Sequence, residues 1–242
     1  MVLLVYPHDP TIPRIARHGR RLAKRLPCIT VEKVLMPKDA SKTVAHHAIR
    51  DCGGDDLIVF MGHGRSDALF GARGKHYTQA DYADYRVLEE HPEDYYNDED
   101  FITEATYRLL EGKKVVIFAC VSNELGEKLV DAGTRTVLGY GKLPTTKTEF
   151  EEDWHYKNVN DHAVAAMSGI LDVSFVNALT KVIRYDGDMA DLAYNIKDEI
   201  HYQIAKLLYS KARYRYMLAD VLSTVEKSIV AIGDTSAPLI GG

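Results

Sequence analysis

Short apolar runs alternate with amphipathic stretches along the first 140 residues. Val2 to Tyr6, Ile29 to Leu35, Leu57 to Met61, Val115 to Ala119 and Thr136 to Tyr140 are brief, and most are rich in Val, Ile and Leu. That is the pattern of strands buried on both faces. Between them, Ile12 to Leu26, Ser41 to Asp51, Glu99 to Leu110 and Asn123 to Ala132 read as helices. The alternation predicts βαβ units with right-handed crossovers and a largely parallel, doubly wound α/β sheet. Arg65 to Asp98 breaks the rhythm with Gly71, Gly74, Pro92 and the acidic, Tyr-rich run from Glu89 to Tyr96. A long excursion above the sheet is expected there.

From Glu149 to about Lys227 the chain reads as successive helices, with Ile196, Ile200, Ile204, Leu207 and Leu208 at three- and four-residue spacing. They are expected to form a layer covering the sheet, inserted before a sixth, edge strand over Ser228 to Ile232. An independent helical domain is the alternative organisation. With 242 residues, 46% of them hydrophobic, one α/β domain over 1–242 has enough material for a large core.

Charge and cysteine usage narrow the partners. A net charge of −5 gives no reason to expect a nucleic acid or an anionic membrane. Three cysteines, Cys28, Cys52 and Cys120, do not suit a disulfide framework and are ordinary for a reducing compartment. Met1 to Tyr6 is too short for a signal-peptide core, and no other apolar run approaches the length of a membrane span. A cytoplasmic location is expected.

Two strands end in groups that can do chemistry. Leu57 to Met61 leads into Gly62-His63-Gly64, and Val115 to Ala119 leads into Cys120, then Val121-Ser122-Asn123 and a helix. In an open α/β sheet, reactive groups collect beyond the carboxyl ends of the strands. A cysteine after a buried strand is commonly just a small core residue, and a histidine between glycines can merely cap a turn. At successive strand ends, the two form a dyad: His63 as general acid and base, Cys120 as nucleophile. The following helix and a nearby imidazolium are expected to favour thiolate. The backbone N–H groups of Gly64 and Cys120 are candidates for the oxyanion hole.

These residues resemble the caspase-like cysteine peptidases, most closely the CHAT subgroup. The segment from Ala119 through Gly126, then Leu129 to Gly139, is similar to the CHAT pattern of nucleophile, helix, "AGA(R)-x-V" and strand. Ser228 to Asp234 with Pro238-Leu239 is similar to its closing strand and turn. The resemblance spans nearly the whole chain. It implies a caspase-like fold, a six-stranded mostly parallel sheet flanked by helices, and a thioester acyl-enzyme on Cys120. It also implies a role in bacterial stress or antiviral defence, cutting a partner protein to release an effector. Phe118 precedes the Ala-Cys pair and Val121-Ser122 follow it, where caspases carry Gln and Arg-Gly, so caspase specificity does not transfer.

For the substrate pocket, the resemblance points to Asp9 in the loop after the first strand, with Asp67 as an alternative wall; either would suit a basic side chain. Other residues carry less. His46-His47 lack ligands at metal spacing, and no phosphate-binding glycine loop or Gly-x-Ser-x-Gly follows a strand. No metal or other cofactor is expected. Ser122 reads as a helix cap, and Cys28 and Cys52 as inert. The expected partners are a protein or peptide substrate, an effector released by cleavage and a regulatory protein. The competing reading is a non-catalytic caspase-like binding or scaffold module.

Overall fold

The computed structural model describes residues 1–7, 21–26, 30–35, 39–71, 100–144 and 146–241. The expected helix before Arg21, Asp9, Cys28 and the segment from Ala72 to Glu99 lie outside the described residues.

Strands β1 (Val2–Pro7), β2 (Thr30–Leu35) and β3 (Leu57–Met61) flank helix α1 (Asp39–Asp51). Strand β7 (Lys114–Phe118), helix α2 (Ser122–Asp131) and strand β8 (Thr136–Gly139) follow later in the chain. Together with β9 (Val230–Gly233) the strands form one six-stranded sheet, order β2-β1-β3-β7-β8-β9. Every pairing is parallel except β8 with β9. The fold class read from the sequence is therefore the one observed. The expected edge strand runs antiparallel because the helices return the chain to the same edge of the sheet at which β8 ends, with Val230 opposite Gly139.

Those helices are α3 (Lys147–Glu152), α4 (Asp161–Arg184), α5 (Met189–Tyr209) and α6 (Arg215–Ser228). Alternation along the strands divides the core into two. Val59, Met61, Val116 and Phe118 face Phe175, Leu192 and Leu222 of the long helices. Ile58, Phe60, Val115 and Ile117 face Ile49 of α1 and Leu125 and Leu129 of α2. Helix α4 has the length and hydropathy of a membrane span. Its Phe175 and Leu179 are nevertheless buried against the sheet, and its buried Asp172 is held at 3.3 Å by Arg21.

One region differs from expectation. Gly64–Arg65 (β4), Ala68–Phe70 (β5) and Asp100–Ile102 (β6) form a small antiparallel sheet. The predicted helix from Glu99 is instead this strand followed by a 3-10 helix, Glu104–Leu110. Phe101 and Ile102 win burial in the core by pairing with β5, and Thr103 and Thr106 close a capping box that starts the helix only afterwards.

Close approach makes Gly139 obligatory. A methyl there would lie 2.6 Å from the Ser122 carbonyl carbon and 2.7 Å from the Asn123 nitrogen. Gly169, inside α4, has nothing within 4 Å of the same position. Gly139→Ala should therefore cost about 3 kcal/mol or more. Gly169→Ala should stabilise by about 0.5–1 kcal/mol. Urea unfolding of both variants checks the contrast, and equal midpoints would refute it.

Candidate active site

The β3–β7 ladder sets the site. Met61 pairs with Phe118, and the Gly62 N–H donates to the Phe118 carbonyl at 3.1 Å, which closes this last pair of the ladder. His63 and Cys120 each lie two residues beyond that last pair, at the carboxyl edge of the sheet. Gly62 permits this turn, because a methyl there would lie 2.9 Å from the Phe60 ring and 3.0 Å from Pro7. His63 is 9% exposed. Cys120 packs at the margin of the core formed with the long helices, while Ala119 lies in the opposite core.

Gly64 belongs to the same edge. The Phe70 N–H donates to the His63 carbonyl at 3.1 Å, and Gly64 pairs with Leu69 in the next register position. In an antiparallel ladder hydrogen-bonded and non-hydrogen-bonded pairs alternate, so the Gly64 N–H points away from β5. A methyl on Gly64 would sit 3.2 Å from the Ala119 methyl, which puts this amide beside the segment carrying Cys120. That position suits one half of an oxyanion hole.

The turn after β7 is strained. Val121 adopts φ 55°, ψ 22°, a left-handed conformation that a β-branched residue rarely takes. Ser122 holds the turn from beneath. Fully buried, its hydroxyl lies 2.9 Å from the Ile117 carbonyl and 2.8 Å from that of Ala119, and accepts from the Tyr140 N–H at 2.8 Å. Ser122 is therefore a knot between β7 and β8, and not the helix cap expected from the sequence. Val121 occupies the cap position, with no side-chain cap bond.

The expectation of a thiolate is corrected. The Cys120 thiol donates to the Leu143 carbonyl at 3.2 Å, and the Leu143 N–H lies 3.4 Å from the sulfur. The residue as a whole keeps some exposure, yet its thiol is almost entirely surrounded by protein. Burial pushes the Cys120 thiol up to about 12; Glu149 and Asp153 add to the rise, while the Leu143 bond and Lys142 oppose it. The helix gives little help, because the N–H groups of Val121 and Asn123 are spent on the carbonyls of Gly141 and Tyr140, each at 2.9 Å. The sulfur is thus latched to the β8 exit segment as a protonated thiol. That segment is held in turn by the Lys142–Asp153 ion pair and by the Thr146–Glu149 capping box.

The remaining candidates separate cleanly. Asp67 is exposed and turned toward Arg65 on the β4–β5 turn. The carboxylates that act on the sulfur are those of Glu149 and Asp153. Sequence reasoning missed Leu143 because backbone bonds from a loop leave no side-chain signature, and both carboxylates because only the fold brings 149–153 near residue 120. His46 stacks on Phe101 and bonds its carbonyl at 2.9 Å, and burial lowers its pKa. Cys52 is buried, and its thiol is pushed up to about 11 by desolvation. Among the described residues no group of three or more His, Cys, Asp or Glu could hold a metal ion. In comparisons with known proteins, no family model, curated protein or solved structure matched the chain.

A thiol that titrates above its ordinary 9.0 when folded favours folding below that pH, and its contribution is lost as pH climbs toward 12. Alkylation of Cys120 by iodoacetamide, followed by mass spectrometry of its peptide, should show no inflection between pH 6 and 8. Its rate at pH 7 should be at least about ten-fold below that of a free thiol. Asp153→Asn, which removes a carboxylate near the sulfur and frees Lys142, should speed it. An inflection near pH 6 to 7 would reveal a thiolate–imidazolium pair and overturn the latched description.

Proposed function

We propose that this chain is a cysteine endopeptidase, with Cys120 as nucleophile and His63 as general acid and base, and that the latched thiol is its resting state. The observation that supports the reading is the β3–β7 register, which ends at Met61 and Phe118, so that His63 and Cys120 each follow two residues beyond the last pair. Displacement of the Leu143 segment frees the sulfur, and the imidazole takes its proton as the carbonyl is attacked. The Sγ–C bond forms, and the oxyanion is met by the N–H groups of Gly64 and Cys120. Collapse breaks the C–N bond as the imidazolium protonates the leaving amine. Water activated by His63 then hydrolyses the thioester.

In this reading the substrate is a protein or peptide, and a regulatory protein supplies the displacement. Cutting one partner to release an effector, in bacterial stress or antiviral defence in the cytoplasm, follows from the resemblance to CHAT peptidases. Asp9 or Asp67 would wall the pocket for a basic substrate side chain, while Glu149 and Asp153 are the carboxylates that act on the sulfur. A second reading, a non-catalytic caspase-like binding or scaffold module, draws on the same latch, since a permanently bonded sulfur has no need of a base.

A peptide library, with cleavage products identified by mass spectrometry, separates the two. Cys120→Ala should lower kcat/KM by at least about 10³-fold, and His63→Ala by about 10² to 10⁴-fold. Cleavage that survives Cys120→Ala would end the peptidase assignment. So would the absence of cleavage by wild type and by Asp153→Asn alike, which would leave the scaffold.

A further inference from the structure

Burial falls away toward the tip of the α5–α6 hairpin, where only Ile204, Leu207, Tyr214 and Met217 pack against the core, and only in part. Helix α5 buries Met189, Leu192, Ile196 and Ile200, and no residue after Ile200. The first buried residue of α6 is Leu218. The stretch 201–217 between them is thus a tip with no fully buried side chain. Its base is tied by His201 and Glu226 at 2.9 Å.

This tip has an unusual composition. It carries Lys206, Lys211, Arg213 and Arg215 and no carboxylate. No described Asp or Glu lies within ion-pair distance of these four cations. Large rings stand in water beside them: Tyr209 is 94% exposed and Tyr216 66%. Two guanidiniums already lie over tyrosine rings, Arg213 on Tyr214 at 5.3 Å and Arg215 on Tyr216 at 4.5 Å from the centroid. One face of each guanidinium is thus covered; Arg215 also donates to the Tyr216 hydroxyl at 3.2 Å, and the remaining exposed edge N–H groups are left for carboxylates. Exposed Tyr and Arg, here at the helix ends and in the turn between them, are residue types enriched at the hot spots of protein interfaces.

We propose that the 201–217 tip docks an acidic, partly apolar segment of a protein partner. The partner's carboxylates pair with the four cations, and its apolar side chains lie against the Tyr209 and Tyr216 rings. Charge decides against a polyphosphate. The chain as a whole carries −5, so setting these four cations aside leaves −9 for the rest. A nucleic acid or an anionic membrane extending past the tip meets a repulsive surface, whereas a short acidic segment ends within it. This surface is separate from the peptidase reading and does not depend on it.

The test uses the full chain carrying Cys120→Ala, so that no cleavage can intervene. The probe is a fluorescein-labelled 16-residue peptide of Glu, Asp, Leu and Phe, followed by fluorescence anisotropy. Saturable binding is expected, with Kd raised at least about ten-fold by the combined variant K206Q/K211Q/R213Q and by raising NaCl from about 50 to about 300 mM. Tyr209→Ser with Tyr216→Ser should raise Kd several-fold. Because all five substituted side chains are exposed, circular dichroism should be unchanged. No binding, or equal binding by the variants, overturns the proposal. So does tighter binding of a 16-nucleotide single-stranded RNA, or of phosphatidylserine vesicles, than of the peptide.

Discussion

The arrangement of the candidate site depends on one parallel pairing, Leu57–Met61 against Lys114–Phe118. Side chains alternate across a sheet with period two, so a one-residue slip would exchange Met61 and Phe118 with Phe60 and Ile117 and bury each set in the wrong core. Burial on both faces therefore fixes the register, and the register fixes which residues leave the sheet side by side. At the far end of β7, buried Lys114 reinforces the pairing. Its ammonium bonds the carbonyls of Asp55 at 3.1 Å and Pro238 at 2.6 Å, tying β7 to the turn before β3 and to the C-terminal tail.

Strain and constraint meet on the other side of that ladder. The left-handed Val121 turns the chain sharply from β7 into α2, and the Ser122 hydroxyl, bonded to both β7 and the β8 exit, makes the turn affordable. The same crowding excludes any side chain at Gly139. It also brings Leu143 against the sulfur, so the knot that builds the turn governs the chemical state of Cys120.

Much of this was legible in the chain. β1, β3 and β7 are short apolar runs between helices, and the group following each run is named by position alone, which is how His63 and Cys120 could be paired. Edge strands β2 and β9 carry weaker signals, because one side of each lacks a neighbour: Glu32 and Lys33 interrupt the apolar run of β2, and Val230 stands exposed in the four-residue β9. The small sheet was illegible: β4 and β5 are two and three residues long, and β6 is a strand by virtue of Leu69 and Phe70 opposite it. The state of the sulfur was equally hidden. Propensity and motif suggested an activated thiolate, but the deciding partners are main-chain atoms of Leu143 and carboxylates on a short later helix.

The bond between Cys120 and Leu143 also bears on how long the protein can wait. Peroxide attacks thiolate far faster than thiol, and the sulfenic, sulfinic and sulfonic acids follow in order once the first oxygen has been added. A sulfur kept protonated and shielded from solvent is spared that first step. The contact that keeps Cys120 protonated therefore also slows its oxidation relative to an exposed thiolate.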